Sequence, residues 1–243
     1  MKGIILAGGK GTRLYPVTLE TPKPLLTVNK KPIINYLIDN FAKYGVNEMK
    51  IIIRPQDRED FEWWIKRYYP APKHAELELV EEDEPMGTFG LVAGQLQPWL
   101  NGENFFLTNG DELKEIDLKS MAEHHYQNDA SATLALVEVS NPKEYGVARL
   151  DGDQIIEFLE KPDDPPTNFI SSGFYLLSPD IFRYTQDEIA YGQKYLMIEK
   201  DVFPKAAKNK KLFAYLHTGP WFDCGTLERW EKAIKEWDNS NLH

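Results

Sequence analysis

Apolar and polar positions follow one rhythm in the first half of the chain and another in the second. Gly3–Ala7 is a short apolar run closed by Gly8-Gly9, the pattern of a buried first strand. Over Pro32–Tyr44 the apolar residues Ile33, Ile34, Leu37, Ile38 and Phe41 recur at helical spacing, and Gly45 follows where a helix C-cap belongs. Met49–Ile53 predicts a second strand, Asp57–Tyr68 a second amphipathic helix and Leu77–Val80 a third strand. Phe89–Gln97 reads as helical, and Asn104–Thr108 as a fourth strand that runs into Asn109-Gly110-Asp111. Strands alternating with helices at this pace imply crossover units and a parallel sheet covered on both faces.

Past about residue 130 the segments shorten. Ala132–Val139, Gly146–Leu150, Ile155–Leu159 and Gly173–Leu177 predict strands with turn chemistry between them, and Asp151-Gly152-Asp153 reads as a hairpin tip. Helices are expected at Pro179–Tyr184 and Lys194–Val202, then a strand at Leu212–Tyr215 and a closing helix from Thr226 to Trp237. There is no internal repeat or low-complexity tract, and Asp163-Asp164-Pro165-Pro166 is a local loop rather than a linker. The expectation is one α/β domain over residues 1–243, with an N-terminal half to about residue 130 and a C-terminal half, about 131–243, that caps it.

Composition narrows the function classes. A formal charge of -10 argues against a general nucleic-acid or anionic-membrane binder, because both need a basic field. Small phosphorylated ligands remain open, since a few local cations and backbone N–H groups suffice to hold them. The one cysteine, Cys224, excludes an intrachain disulfide framework and a cysteine-based zinc cluster. The opening apolar run is too short for a signal segment or a membrane span, which gives a cytoplasmic, soluble expectation.

The first strand empties into Gly8-Gly9-Lys10-Gly11-Thr12-Arg13, a place where backbone can approach a ligand closely. Glycines admit positive φ and leave N–H groups facing an open nest suited to polyphosphate, and Arg13 can grip phosphate oxygens in a forked geometry. A Walker loop is excluded, because Ile4 stands at its first-glycine position and Gly11 follows Lys10. The dinucleotide fingerprint starting at Gly9 is excluded by Leu14. A plain tight turn remains the alternative. Ten residues on, Pro22-Lys23-Pro24 sets a lysine on a stiff, extended backbone that aims its amine, against the alternative of a solvated loop lysine.

Leu6-Ala7-Gly8-Gly9-Lys10-Gly11-Thr12-Arg13-Leu14-Tyr15-Pro16 followed by Pro22-Lys23-Pro24 resembles the paired signature of the sugar-phosphate nucleotidylyltransferases. That family includes the glucose-1-phosphate thymidylyltransferases and the mannose-1-phosphate guanylyltransferases. The resemblance implies a Rossmann-like mixed, mostly parallel sheet flanked by helices in three αβα layers. It also implies a nucleotide site at Leu6, Ala7, Gly8, Gly9, Gly11, Thr12 and Arg13.

Asp111 ends an apolar strand, where open α/β sheets place ligand groups, and is a suitable oxygen ligand for Mg²⁺; a turn or N-cap aspartate is the alternative. The family's second metal aspartate maps onto Asp223 in Trp221-Phe222-Asp223-Cys224-Gly225-Thr226, so the resemblance implies Mg²⁺ held by Asp111 and Asp223. Glu160-Lys161-Pro162 resembles the sugar-phosphate contact, and Tyr145-Gly146-Val147 the segment whose glycine faces the sugar. Ser171-Ser172-Gly173-Phe174-Tyr175 resembles a further sugar segment through Ser172 and Gly173, with Ser171 where asparagine is usual. For the base, Glu84-Pro85-Met86-Gly87-Thr88 resembles an element of guanylyl-, adenylyl- and heptose-type members, and Glu82 stands upstream where it could accept N–H bonds from a base such as guanine; the head of the chain resembles the thymidylyl group, so the base stays open.

The reaction so implied joins a nucleoside triphosphate to a sugar 1-phosphate, with Arg13, Lys23, Asp111 and Asp223 as catalytic residues. Two alternatives stay open: transfer to a non-sugar alcohol phosphate, and a non-catalytic regulatory homologue that binds the nucleotide sugar. His124-His125 is read as a solvated polar helix face, and Cys224 as a small filler. Trp63, Trp64, Tyr68 and Tyr69 are read as helix packing, with a homo-oligomer interface as the sharper alternative. The chain stops one helix after the Trp221–Thr226 segment, so hexapeptide-repeat acetyltransferase activity and β-helix trimerisation are not expected.

Overall fold

A computed structural model describes residues 1–69, 75–190, 192 and 194–237. The strands, in chain order, are β1 (Lys2–Leu6), β2 (Thr27–Val28), β3 (Lys31–Pro32), β4 (Glu48–Ile53), β5 (Glu76–Glu81), β6 (Phe105–Asn109) and β7 (Glu112–Lys114). They continue with β8 (Ala132–Glu138), β9 (Gly146–Asp151), β10 (Gln154–Glu160), β11 (Phe169–Leu177), β12 (Leu212–Leu216) and β13 (Trp221–Asp223). The α-helices are α1 (Val17–Glu20), α2 (Ile33–Lys43), α3 (Arg58–Tyr68), α4 (Gln97–Leu100), α5 (Leu118–Gln127), α6 (Gln186–Ala190), α7 (Phe203–Lys208) and α8 (Leu227–Glu236). The α/β class expected from the alternation is the class the chain adopts.

Two compact units divide the chain. One comprises Gly3–Asp83, Thr108–Ile116 and Gly219–His243. In it β1, β4 and β5 pair in parallel with Ile5 opposite Ile51 and Ile51 opposite Leu79, an apolar level across the three strands, while Lys50 stands opposite Ile4 and Glu78. The end of β6 reaches β1 through the Gly110 N–H, which donates to the Leu6 carbonyl at 2.9 Å. Helix α2 buries Ile33, Ile34, Leu37, Ile38 and Phe41, the stripe its spacing predicts. In α3, Trp64 is buried and its Nε1 donates to Asn35 Oδ1 at 2.8 Å, whereas Trp63 stays exposed beside the Arg67 guanidinium.

The other unit comprises Met1–Lys2, Glu84–Leu107 and Asp117–Thr218. Its strands run in the order β11, β8, β12, β10, β9, antiparallel except for the parallel pair β12–β8. Gly152, at φ +62°, makes the β9–β10 hairpin tip read from Asp151-Gly152-Asp153. Strand β11 begins four residues before the expected Gly173 and carries a bulge between Ser171 and Tyr175. The expected helix over 194–202 forms only from Ile198, as a wide turn that runs into α7.

His125 departs from the surface reading. It is 1 % exposed, with Nε2 2.7 Å from Ser178 Oγ and Nδ1 2.8 Å from Thr133 Oγ1. A histidine pair on a polar sequence face gives no hint that one ring turns inward. That is decided where α5 packs on β8. Burial, outweighing nearby Asp180, lowers its pKa from the ordinary 6.5 to about 4.

Candidate active site

The glycine loop leaves β1 with the Ala7 N–H donating to the Ile52 carbonyl at 2.8 Å. Gly11 sits at φ +61°, and a Cβ there would lie 3.0 Å from Thr18 Cγ2, so both conformation and space call for glycine. The Thr18 hydroxyl donates to the Gly11 carbonyl at 2.8 Å, and Thr12–Leu14 make a single tight helical turn. Gly9, Lys10, Thr12 and Arg13 are exposed. Glu82 Oε2 would lie 3.6 Å from a Cβ on Gly8, so this carboxylate borders the loop.

The carboxylates come together through a pairing that the sequence does not announce. Strand β7 pairs antiparallel with β13, setting Glu112 opposite Asp223 and Lys114 opposite Trp221. Asp111, the residue before β7, and Asp223, at the end of β13, thereby meet despite their separation in sequence. Lys23 reaches both, with Nζ 2.5 Å from Asp111 Oδ2 and 3.9 Å from Asp223 Oδ1. Asp223 Oδ1 accepts the Gly225 N–H at 2.6 Å, and its Oδ2 accepts from Arg229 Nη1 at 2.6 Å. Arg13 approaches the same turn, since its Nη2 lies 3.0 Å from where a Cβ on Gly225 would stand.

An apolar cluster explains how these polar groups are held. Leu14, Leu26, Leu113 and Cys224 are buried together with Val28, Ile33, Tyr36, Ala233 and Trp237. Each site residue lies within a few positions of a member of that cluster: Arg13 beside Leu14, Lys23 before Leu26, Asp111 before Leu113, Asp223 beside Cys224. Burial pushes the Cys224 thiol up to about 12, which suits a filler and not a nucleophile.

Electrostatics follow from burial set against pairing. Burial alone would lower the Lys23 pKa, but Asp111, helped by Asp223 and Glu112, holds it above the ordinary 10.5. Burial would raise Asp111, and the Lys23 ammonium overcomes it and holds the carboxyl below the ordinary range. Lys23 is thus a cation and Asp111 an anion at neutral pH. Two carboxylates already sharing one positive charge form a donor set that a hard divalent cation can use, completing its shell with phosphate and water oxygens. Among the described residues no group of three or more histidines, cysteines or carboxylates is placed to hold a metal without such help.

The second unit brings the expected sugar-side residues into two groups. Gly146 stands opposite Glu160 in the β9–β10 pair, and the Lys161 N–H donates to the Tyr145 carbonyl at 3.0 Å. A Cβ on Gly146 would lie 2.4 Å from Phe158 Cζ and 3.0 Å from Glu160 Oε2, so only glycine lets this carboxylate sit there. Lys161, at φ +51°, is mostly exposed, with Nζ 3.2 Å from Glu160 Oε1. Ser172 and Gly173 lie in the β11 bulge, where Ser172 Oγ donates to the Ala135 carbonyl at 2.8 Å and Gly173 N–H to Ser171 Oγ at 3.1 Å. Gly87 and Thr88 are tied to 196–199: a Cβ on Gly87 would lie 2.3 Å from the Leu196 carbonyl, and the Thr88 hydroxyl donates to Glu199 Oε2 at 2.5 Å.

A family model described as nucleotidyl transferase matches residues 2–240. The chain belongs to the nucleotidyl transferase family. It is 33 % identical over 238 residues to a mannose-1-phosphate guanylyltransferase of Mycobacterium tuberculosis and 34 % identical over 235 residues to mannose-1-phosphate guanylyltransferase 1 of Arabidopsis thaliana. Each match covers 93 % of this chain and 61 % of the relative, so the chain spans about three fifths of their length. Among solved structures it resembles one named as a glucose-1-phosphate thymidylyltransferase of Bacillus anthracis, in complex with sucrose. The TM-score is 0.86 and the identity 26 %, covering 97 % of this chain and 94 % of that one. A UDP-glucose pyrophosphorylase complexed with UDP-glucose superposes at TM-score 0.81 with 24 % identity and 97 % of each chain covered, which shows the shared fold.

The structure adds residues that the sequence pattern did not single out. Glu112 and Lys114 follow Asp111 in a polar–apolar–polar pattern, which in a strand sets both on one face, so a signal was there to read. Arg229 occupies the first turn of α8, capped by Thr226, where a cation opposes the helix dipole; an arginine kept there points to a partner, and the partner is Asp223. Glu199 is buried, and burial raises its pKa against the Thr88 and Tyr175 hydroxyls that bond it. No sequence signal marked it. No helix among the described residues is long and apolar enough to cross a membrane.

Proposed function

We propose that the chain condenses a nucleoside triphosphate with a sugar 1-phosphate in a Mg²⁺-dependent reaction that gives a nucleoside diphosphate sugar and pyrophosphate. Guanosine triphosphate and mannose 1-phosphate are the substrates that its relatives' names favour. The observation that carries the reading is the convergence of Lys23, Asp111 and Asp223 in the unit that also holds the Gly8–Arg13 loop.

An oxygen of the sugar phosphate attacks the α-phosphorus in line. A new P–O bond forms, the bond from the α-phosphorus to the bridging oxygen breaks, and pyrophosphate leaves with that electron pair. A phosphate monoester has its second pKa at about 6, so the nucleophile is already mostly dianionic at pH 7 and needs no general base. Catalysis is therefore positioning and charge neutralisation. Asp111 and Asp223 would hold Mg²⁺, which would supply charge neutralisation on the triphosphate. Arg13 and the loop amides take the charge of the leaving pyrophosphate, and Lys23 offsets charge at the α-phosphate. Lys161 fixes the sugar phosphate, while Glu160 accepts from sugar hydroxyls. Glu82, beside Gly8, can accept the N–H groups that guanine presents and thymine lacks in that number.

The test is pyrophosphate release over a panel of nucleoside triphosphates and hexose 1-phosphates, with and without Mg²⁺. Turnover with guanosine triphosphate and mannose 1-phosphate that stops in chelator is the expected result. The likeness to the Bacillus anthracis structure favours a second reading, thymidylyl transfer to glucose 1-phosphate, and faster turnover with that pair would select it. Silence across the panel, with nucleotide sugar still bound, would replace both with a binding protein. Asp223→Asn is expected to abolish turnover and keep the fold.

A further inference from the structure

The Glu112 carboxylate, buried in the first unit, accepts from three directions. Asn109 Nδ2 donates to Oε1 at 3.0 Å, and Trp221 Nε1 donates to Oε2 at 2.8 Å. Lys114 Nζ donates to the same Oε2 at 3.2 Å, and its side chain is 0 % exposed. Asn109 ends β6, Lys114 ends β7 and Trp221 opens β13, so one carboxylate joins three strands. The Asn109 bond closes the four-residue turn 109–112, with Asp111 at its tip. That turn has no other slack, because Gly110 N–H is bound to the Leu6 carbonyl and a Cβ on Gly110 would lie 2.9 Å from that same oxygen. The Trp221 bond ties down the strand that carries Asp223 two residues later, opposite Glu112 itself.

Stability alone does not account for such a group. Burying a carboxylate and an ammonium is expensive, and a well-packed apolar pair of similar volume is often as stable or more so. Nor is the pair at the surface, where solvent would share the charge. What the ion pair and its two further bonds provide is direction: hydrogen bonds fix angles and distances that apolar contact leaves soft. The three bonds also point at the two strand ends whose side chains must meet.

We infer that Glu112 is a positioning residue that sets the separation of Asp111 and Asp223, with Lys114, Trp221 and Asn109 as its arms. This rests on the two-carboxylate reading of the site given above. Lys114 is the buried donor on the carboxylate from β7, and Trp221 is the strut to β13.

The double variant Glu112→Leu/Lys114→Met removes the charges together and leaves no buried ion unpaired. Its melting temperature is expected to lie close to wild type. Mn²⁺ titrated alone, with the free ion read by electron paramagnetic resonance, should bind about 10- to 100-fold more weakly, the usual cost of losing a partner that orients metal ligands. In pyrophosphate release kcat should fall by a similar factor while KM for the sugar phosphate holds. A folded double variant with wild-type Mn²⁺ affinity overturns the proposal. If the double variant does not fold, Trp221→Phe removes a single arm and decides the matter: weaker Mn²⁺ binding supports the proposal and unchanged binding overturns it. Asp223→Asn, run alongside, separates the two levels. Unchanged Mn²⁺ binding in that protein sinks the two-carboxylate reading itself, whereas loss there with retention in the Glu112 variants sinks only the positioning role.

Discussion

Lowering the pH should destabilise the second unit through His125. Ser178 Oγ already donates to the Ala130 carbonyl at 2.7 Å, so it accepts from Nε2–H of the ring. Nδ1 is then the acceptor, 2.8 Å from the Thr133 hydroxyl. The neutral imidazole is satisfied at both nitrogens, and a second proton would put a charge in a buried place. Burial is the largest cause of the shift from 6.5 to about 4; Asp180 and Asp129 pull the other way. Between those two values the unfolded chain binds the proton and the folded chain does not. Stability therefore rises with pH across that window and is lost as pH falls through it. At about 1.4 kcal/mol per pKa unit, the stability difference between pH 7 and pH 5 comes to about 2 kcal/mol from this one residue. Urea unfolding of wild type and His125→Gln at both pH values isolates it, because the carboxylates are common to both proteins. The variant should be less stable at pH 7, and the gap should close by about 2 kcal/mol at pH 5. Parallel losses in the two proteins would refute the buried neutral imidazole.

Three further outcomes test the site and its frame. Lys23→Met leaves Asp111 without its 2.5 Å partner, so turnover in the pyrophosphate-release assay should fall by about 100-fold or more while circular dichroism stays native. Gly146→Ala puts a methyl 2.4 Å from Phe158 and 3.0 Å from Glu160, so KM for the sugar phosphate should rise about tenfold with the nucleotide KM unchanged. Gly87→Ala meets both a left-handed backbone at φ +75° and the Leu196 carbonyl 2.3 Å away; the conformation alone costs about 1–2 kcal/mol, and the melting temperature should drop accordingly.

Much of this protein is legible along the chain because the information is local. Strand β1, helix α2 and strand β4 follow from apolar spacing, since burial of one face is what forms them. Gly11 acts through its own backbone and the Gly152 tip declares its hairpin in three residues, whereas Lys23, expected on extended backbone, opens the tight helical turn Lys23–Leu25, closed by the Leu26 N–H on the Lys23 carbonyl. Side-chain chemistry that depends on a neighbour is different. The β7–β13 pair is three residues long on each strand, too short to leave a pattern, yet it sets Asp223 opposite Glu112. Arg229 left only a weak hint, a cation in the wrong turn of a helix.

The amino-acid sequence by itself determined which residues carry charge, where glycine must stand and which segments bury a face, because those follow from each residue and its near neighbours. Tertiary structure alone decided that Lys23 lies between Asp111 and Asp223, that Glu112 braces the strand ends beside them, and that His125 is buried while His124 is only partly so. A strand pair joining residues over a hundred positions apart is stabilised by contacts between them, and neither partner's local sequence records the other.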